Sequence, residues 1–456
     1  MRLQPNSPCY FFDDSMIAGQ QRLVRRWLPA KVYPRPVIEA DRPCEGRMVA
    51  LYGSVLPDPA GGFRMYYSNF EPGRPSKVFL ATSPDAFRWH KPEIEHAGDA
   101  GRRTDNVVLA PDLHLDSPSV VHDPGDADRP WKLLAFHLDN LRAKWGPAWG
   151  LYAYRSRDGL AWERMPGPVL RAGDRTSLMA TKVDGRFVAY TRHVDMGLHT
   201  GGRAVYRSDS SDFTSWTEPE LVLAPDLGDE PDVEFYGMSV FERNGWFFGL
   251  LDYWDGAADV IETHLVVSRD GISWMRTARA PFIPAACDWN RTWTTCATNG
   301  PVVVGEQMVF HFGGRWVSHH FDSAQQYGAI GFASIPVDRF CALEAASGGR
   351  VDTVPLEWPG GQLAINADTR ESFTSHPMHL SGEIAVELLD AVGQPLPDWS
   401  GERRAVFRGN THCRCAVNNQ IVRWPLDRGL DLLRGKTLRL RFHLKHARLF
   451  TFEARM

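Results

Sequence analysis

Ser156-Arg157-Asp158-Gly159-Leu160-Ala161-Trp162 decides the fold, because the chain writes it again as Ser268-Arg269-Asp270-Gly271-Ile272-Ser273-Trp274. A variant stands at Ser83-Pro84-Asp85-Ala86-Phe87-Arg88-Trp89, and a longer one runs from Ser208 through Asp212 and Phe213 to Trp216. Each copy follows a short β-type run, such as Leu151-Tyr152-Ala153-Tyr154 or Leu265-Val266-Val267. In such a turn Ser closes a strand, Asp accepts hydrogen bonds from the turn's own amides, and Gly supplies a positive φ. Trp opens the return strand and covers the hairpin with a large apolar ring. A recurrence every roughly 50–75 residues predicts one four-stranded blade per repeat. The boxes are therefore scaffold.

Working outward, five blades are expected over residues 1–345. They start near Glu45, Asp116, Asp174, Glu234 and, for the last, ahead of Gly300-Pro301-Val302-Val303-Val304. The run Tyr10-Phe11-Phe12-Asp13-Asp14-Ser15-Met16-Ile17 is expected to complete the last blade as an N-terminal strand, with the two aspartates as a turn. From about Gly348 the texture changes to short, evenly spaced strands such as Gly382-Glu383-Ile384-Ala385-Val386-Glu387-Leu388-Leu389, which predicts a β-sandwich over 346–456. The fold class is all-β: a five-bladed β-propeller followed by a C-terminal β-sandwich.

Composition narrows the function classes. In 456 residues, 43% hydrophobic and 23% charged, there is material for a sizeable core. A net charge of −4 with no basic stripe argues against nucleic acid and anionic membrane surfaces as partners. The opening Met1-Arg2-Leu3-Gln4-Pro5-Asn6-Ser7-Pro8 has no apolar signal core, and no run is long enough to cross a bilayer. With seven scattered cysteines read as reduced, a cytoplasmic protein is expected. His412-Cys413-Arg414-Cys415 has the wrong spacing for a zinc knuckle, so no metal is assigned. No glycine loop cradles phosphate ahead of a helix, so no cofactor is expected.

In a propeller the inner strand of each blade begins at one rim of the central channel. The first positions of these strands read Glu45, Asp116, Asp174, Glu234 and Asp288. Glycoside hydrolysis needs such acids, one to protonate the leaving oxygen and one to attack or to activate water. Arg192 ends the second strand of blade three and Arg315 that of blade five, with His319 and His320 following. These are candidates to hold an anionic sugar, or to neutralise a funnel acid. Tyr236 stands beside Glu234, and Trp145, Trp149, Trp254, Trp289 and Trp293 fall in inter-strand loops, where exposed rings would stack on sugars and buried ones would pack the rim.

Several of these segments together resemble a family: Phe12-Asp13-Asp14, the Ser-x-Asp-Gly-x-x-Trp hairpins, Tyr190-Thr191-Arg192, Glu234-Phe235-Tyr236-Gly237, Gly328-Ala329-Ile330-Gly331-Phe332-Ala333 and Asp338-Arg339-Phe340. The chain is similar to five-bladed propeller glycosidases of the family 32 and family 43 type, and most of all to bacterial family 32-like proteins with a C-terminal sandwich. The resemblance implies catalytic acids at the starts of blades one, two and three, matching Glu45, Asp116 and Asp174, with Glu234 a further candidate as proton donor. The Asn-Asp-Pro-Asn-Gly run of true fructofuranosidases is absent. Fructan hydrolysis is accordingly not carried over.

The expectation is a glycoside hydrolase acting on a small glycoside or oligosaccharide. The rivals are a phosphorylase or transglycosidase on the same scaffold, and a non-catalytic carbohydrate-binding propeller. The sandwich reads as a brace, for the propeller or for a homo-oligomer interface.

Overall fold

A computed structural model describes residues 1–70, 76–98, 101–111, 114–138, 149–192, 202–276, 278–319, 327–369, 382–408, 420–425 and 429–456. Trp145, His320 and the run 412–415 lie outside them. The described structure is all-β, with short 3-10 turns and no α-helix. No helix among the described residues is long and apolar enough to cross a membrane. The chain divides into two compact units, Ala30–Ser334 and a second made of Met1–Pro29 with Ile335–Met456. The sequence reading drew its boundary at 345/346 and left the N-terminus on the other side.

The larger unit is built from antiparallel groups in chain order. Val49–Ala50, Phe63–Asn69, Val78–Ser83 and Val107–Leu109 form the first, with Val55–Pro57 paired to Phe63–Asn69. The second is His114–His122, Trp131–Leu138, Gly150–Ser156 and Glu163–Arg164; the third is Ser177–Leu178, Phe187–Thr191, Val205–Ser210 and Glu220–Leu223. A ten-stranded sheet follows. Within it, Val233–Arg243, Trp246–Asp255 and Val260–Ser268 are antiparallel, as are Trp293–Cys296 and Gln307–Arg315. The two halves meet at one parallel pair, Ile261 with Trp293.

Four of the turns are the serine–aspartate boxes. In each, the Ser hydroxyl donates to Asp Oδ1, at 3.2 Å (Ser83), 3.0 Å (Ser156), 3.1 Å (Ser210) and 2.9 Å (Ser268). Each Asp Oδ1 in turn accepts two backbone N–H groups. The residue after the Asp is left-handed in every copy: Ala86 at φ 63°, Gly159 at 76°, Phe213 at 69° and Gly271 at 71°. The third box thus begins at Ser210, not Ser208, and has the same seven-residue span as the others. Ser208 instead donates to the Thr217 carbonyl at 2.6 Å.

The N-terminal run does not complete the larger unit. Cys9–Tyr10 pairs with Ala447–Arg455, Ile17–Gln21 with Gly349–Thr353, and Val24–Trp27 with Cys341–Ala345, all within the smaller unit. The apolar run explains this. Phe11 enters that unit's core beside Phe452 (5.8 Å), while Tyr10 stacks on Phe12 (4.5 Å) and Phe12 on Trp27 (5.2 Å). Asp13 caps its own turn by accepting from the Ser15 N–H at 3.0 Å, as expected. The strand that does close the ten-stranded sheet is Lys31–Val32, paired with Ser334 and Ala333.

The smaller unit consists of two six-stranded sheets sharing one core that includes Phe11, Trp358, Val386, Leu440, Phe442 and Phe452.

Candidate active site

Five hydroxyls on or beside the first strands of these groups tie the larger unit together: Ser54, Ser119, Ser177, Ser239 and Thr298, all fully buried. Thr298 Oγ1 lies 2.7 Å from both Ser54 Oγ and Ser119 Oγ. Ser54 Oγ accepts the Val120 N–H and Ser119 Oγ the Leu178 N–H, each at 2.8 Å. Beside them lies a buried ion pair. Arg175 donates to Asp252 Oδ2 at 2.6 Å and to the Cys296 carbonyl at 2.8 Å, and reaches Ser239 Oγ at 3.3 Å. Gly237 makes room for it, since a Cβ there would stand 2.1 Å from Arg175 Cγ. Burial raises the Asp252 pKa, and its Oδ1 is buried with no hydrogen-bond partner among the described residues.

Three residues ahead of Ser119 and Ser177 stand Asp116 and Asp174. Two backbone devices place them. The residues after the acids, Ser117 (φ 49°) and Arg175 (φ 55°), are both left-handed. The ladder also slips between Asp116 and Ser119, where three residues face two on the partner strand, and again between Phe235 and Gly237. Bulges of this kind re-aim side chains beside functional sites.

The acids converge through arginines and one tyrosine. Arg192, 3% exposed, forms an ion pair with Asp174 and donates from Nε to its carbonyl at 3.1 Å. Arg203 forms an ion pair with Glu234. The two guanidinium carbons lie 4.9 Å and 5.7 Å from the Tyr236 ring centre. Asp116 accepts from Ser117 Oγ at 3.0 Å and stands within electrostatic reach of Arg192 and Tyr52. It is the one acid of the three that no guanidinium contacts among the described residues. Asp116, Asp174 and Glu234 are all half-buried. Burial lowers the Arg192 pKa and raises that of Tyr52 well above the usual phenol value.

Aromatic packing surrounds Tyr236 and Arg315. Tyr236 meets Trp254 and Trp293 edge-on, at 6.1 Å and 5.3 Å. His319 stacks parallel on Trp293 at 5.2 Å, with Nε2 3.3 Å from the Tyr236 hydroxyl. Arg315 lies 3.9 Å over the Trp293 ring and donates from Nη2 to the Tyr52 hydroxyl at 3.1 Å. Arg192, Tyr236, Arg315 and His319, expected as substrate-binding residues, therefore come together with Asp116, Asp174 and Glu234.

Others do not join them. Glu45 is fully buried in the 3-10 turn Pro43–Glu45. Its carboxylate is consumed by the N–H groups of Asp41 and Arg42 (3.0 Å each), the Tyr67 hydroxyl (2.6 Å) and Lys91 Nζ (2.8 Å), which makes it a turn anchor rather than a channel acid. Asp288 is exposed in a second 3-10 turn, Asp288–Asn290. Trp289 is buried, stacked on Phe312 at 4.9 Å and laid over Gly314 and Gly331, where any Cβ would meet its ring. Trp254 and Trp293 lie within strands rather than in the loops expected, and with Trp149 they are likewise buried, so none of these described tryptophans presents an open face to a sugar.

Sequence reasoning missed Arg203, Tyr52, Arg175 and Asp252. The hydroxyls three residues after Asp116 and Asp174, and again after Tyr236, were a spacing signal for the inner strands. Nothing local marked Arg203, whose role depends on a strand of another hairpin.

The fold and site define an all-β protein with a cluster of carboxylates and arginines at the ends of its inner strands. Neither a family model nor a curated protein matches the chain. Among solved structures it is similar to a glycosyl hydrolase from Bacteroides ovatus, with 13% identity over 68% of this chain and 94% of that one, TM-score 0.47. It is also similar to a thermostable family-43 glycoside hydrolase, with 13% identity over 68% and 96%, TM-score 0.46. A third is the β-1,2-mannobiose phosphorylase from Listeria innocua, with 12% identity over 68% and 97%, TM-score 0.43.

Proposed function

We propose that the protein is a glycoside hydrolase whose larger unit is a five-bladed β-propeller and whose smaller unit is a β-sandwich. Five antiparallel groups, two of them fused by the single Ile261–Trp293 pair, support the blade count. One core between two sheets supports the sandwich. The observation that carries the function is the gathering of Asp116, Asp174 and Glu234, from three successive groups, around Arg192, Arg203 and Tyr236.

Asp116, which no guanidinium contacts among the described residues, attacks the anomeric carbon or draws the proton from a water that does. Substrate displaces Arg203 from Glu234, the freed carboxylate takes up a proton from water, and Glu234 then hands that proton to the departing oxygen. Asp174, clamped by Arg192, fixes the charge beside the developing oxocarbenium ion. Substrate is a small glycoside or oligosaccharide.

The test is product release from a panel of furanosides and pyranosides by wild type, Asp116→Asn and Glu234→Gln. Turnover that falls about 100-fold or more in both variants supports the proposal. Turnover indifferent to both changes refutes it.

A further inference from the structure

Three arginines and three carboxylates meet in this site, but they do not pair off. Arg192 has Asp174 and Arg203 has Glu234. Among the described residues Arg315 has no carboxylate, and its side chain makes one hydrogen bond, to the Tyr52 hydroxyl at 3.1 Å. The residue is half-buried and its guanidinium carbon lies 3.9 Å from the centre of the Trp293 ring, so its position is set by packing rather than by a described counter-ion. A partly desolvated cation held in this way is a site waiting for an anion. A second group points the same way. Among the described residues Arg192 Nη1 is buried with no hydrogen-bond partner, on a residue that is 3% exposed.

We propose that the substrate is a uronide: a glycoside whose sugar carries a carboxylate, held by the Arg315 guanidinium with Arg192 beside it. The proposal rests on the glycosidase reading of the same site. A planar carboxylate matches the planar fork of an arginine, two N–H groups to two oxygens. Arg315 and Asp116 are the two charged groups of the site left without an ion pair among the described residues, and a monoanionic carboxylate adds the least repulsion from Asp116 while it engages Arg315. A phosphate dianion would bring a second negative charge toward Asp116, Asp174 and Glu234 with no further cation to meet it. The Tyr52 phenol, which burial keeps protonated, accepts from Arg315 and retains its own proton for a second acceptor.

The test measures binding and turnover separately. Binding of D-glucuronate and D-galacturonate is compared by calorimetry with that of D-glucose, D-galactose and inorganic phosphate. Turnover is compared on α- and β-linked 4-methylumbelliferyl uronides and the matching neutral glycosides. Wild type, Arg315→Gln and Arg315→Lys are used, each checked for a native melting transition. The expected result is a uronate preference that Arg315→Gln cuts about 10- to 100-fold while neutral sugars change little, with Lys between, since it keeps the charge and loses the fork. Uronate binding without turnover of any glycoside would keep the carboxylate site and overturn the hydrolase reading. Turnover of neutral glycosides alone would do the reverse. Absence of uronate binding, an equal effect of Arg315→Gln on charged and neutral sugars, or phosphate binding in place of uronate would each overturn the uronide.

Discussion

Arg192 and Asp174 form an ion pair in which one partner is almost wholly buried and the other keeps 29% of its side chain exposed. The arginine anchors the pair to the protein, and the carboxylate faces outward. Asp174→Asn therefore leaves a buried guanidinium without its charge partner. The expected outcome is a fall in turnover of about 100-fold or more, together with a stability loss of about 1–3 kcal/mol. Urea unfolding and steady-state kinetics on one preparation check both.

A pair buried on both sides behaves differently. Arg175 and Asp252 are 1% and 0% exposed by side chain, and together they touch three of the antiparallel groups. Removing one partner strands the other charge. Arg175→Met should cost about 3–5 kcal/mol, while Arg175→Met with Asp252→Leu should recover part of that loss. A single variant within 1 kcal/mol of wild type by denaturant unfolding would remove the pair from the account of stability.

Three buried histidines set an acid limit on stability. Burial depresses the pKa of His137, His264 and His311 to about 4 from 6.5. The folded protein thus holds them neutral while the unfolded chain protonates below about pH 6.5. Their contribution is complete above pH 6.5 and is lost as pH falls toward 4, by on the order of 3 kcal/mol each. His311, fully packed and bonded to the Ala86 carbonyl at 2.8 Å, is the cleanest case. In His311→Gln the slope of unfolding free energy against pH between 6.5 and 4 should be shallower by about one proton.

The third turn box offers a local check. Ser210 is fully buried and accepts the Phe213 N–H at 2.9 Å, whereas Ser211 is exposed. Ser210→Ala should cost about 1 kcal/mol and Ser211→Ala less than about 0.5. Equal effects in thermal unfolding would show that the box geometry is not what holds the turn.

That box also shows how far the sequence could be read. The Ser-x-Asp signature marked four turns, because its hydrogen bonds are all within a few residues. Its register slipped in the copy where Phe213 replaces glycine, since a bulky residue in a left-handed conformation is not expected from composition. Asp116, Asp174 and Glu234 could be placed near strand starts from the sequence, because strand starts follow from hydrophobic runs. Glu45 looked equivalent, but its burial depends on Tyr67 and Lys91, which only the fold brings to it. The same holds for Trp289, whose ring lies over glycines from two separate strands. The N-terminal strands were misplaced for a related reason. An apolar run records that it will be buried and says nothing of which sheet will bury it.

The most direct test of the account is the dependence of each variant on the leaving group. Glu234→Gln and Asp116→Asn would be compared on a 2,4-dinitrophenyl glycoside, which departs without a proton, and on the corresponding alkyl glycoside. The account predicts that Glu234→Gln keeps most of its activity on the dinitrophenyl substrate and loses it on the alkyl one, while Asp116→Asn loses both. A Glu234→Gln variant impaired equally on both substrates, or an Asp116→Asn variant active on either, would contradict it.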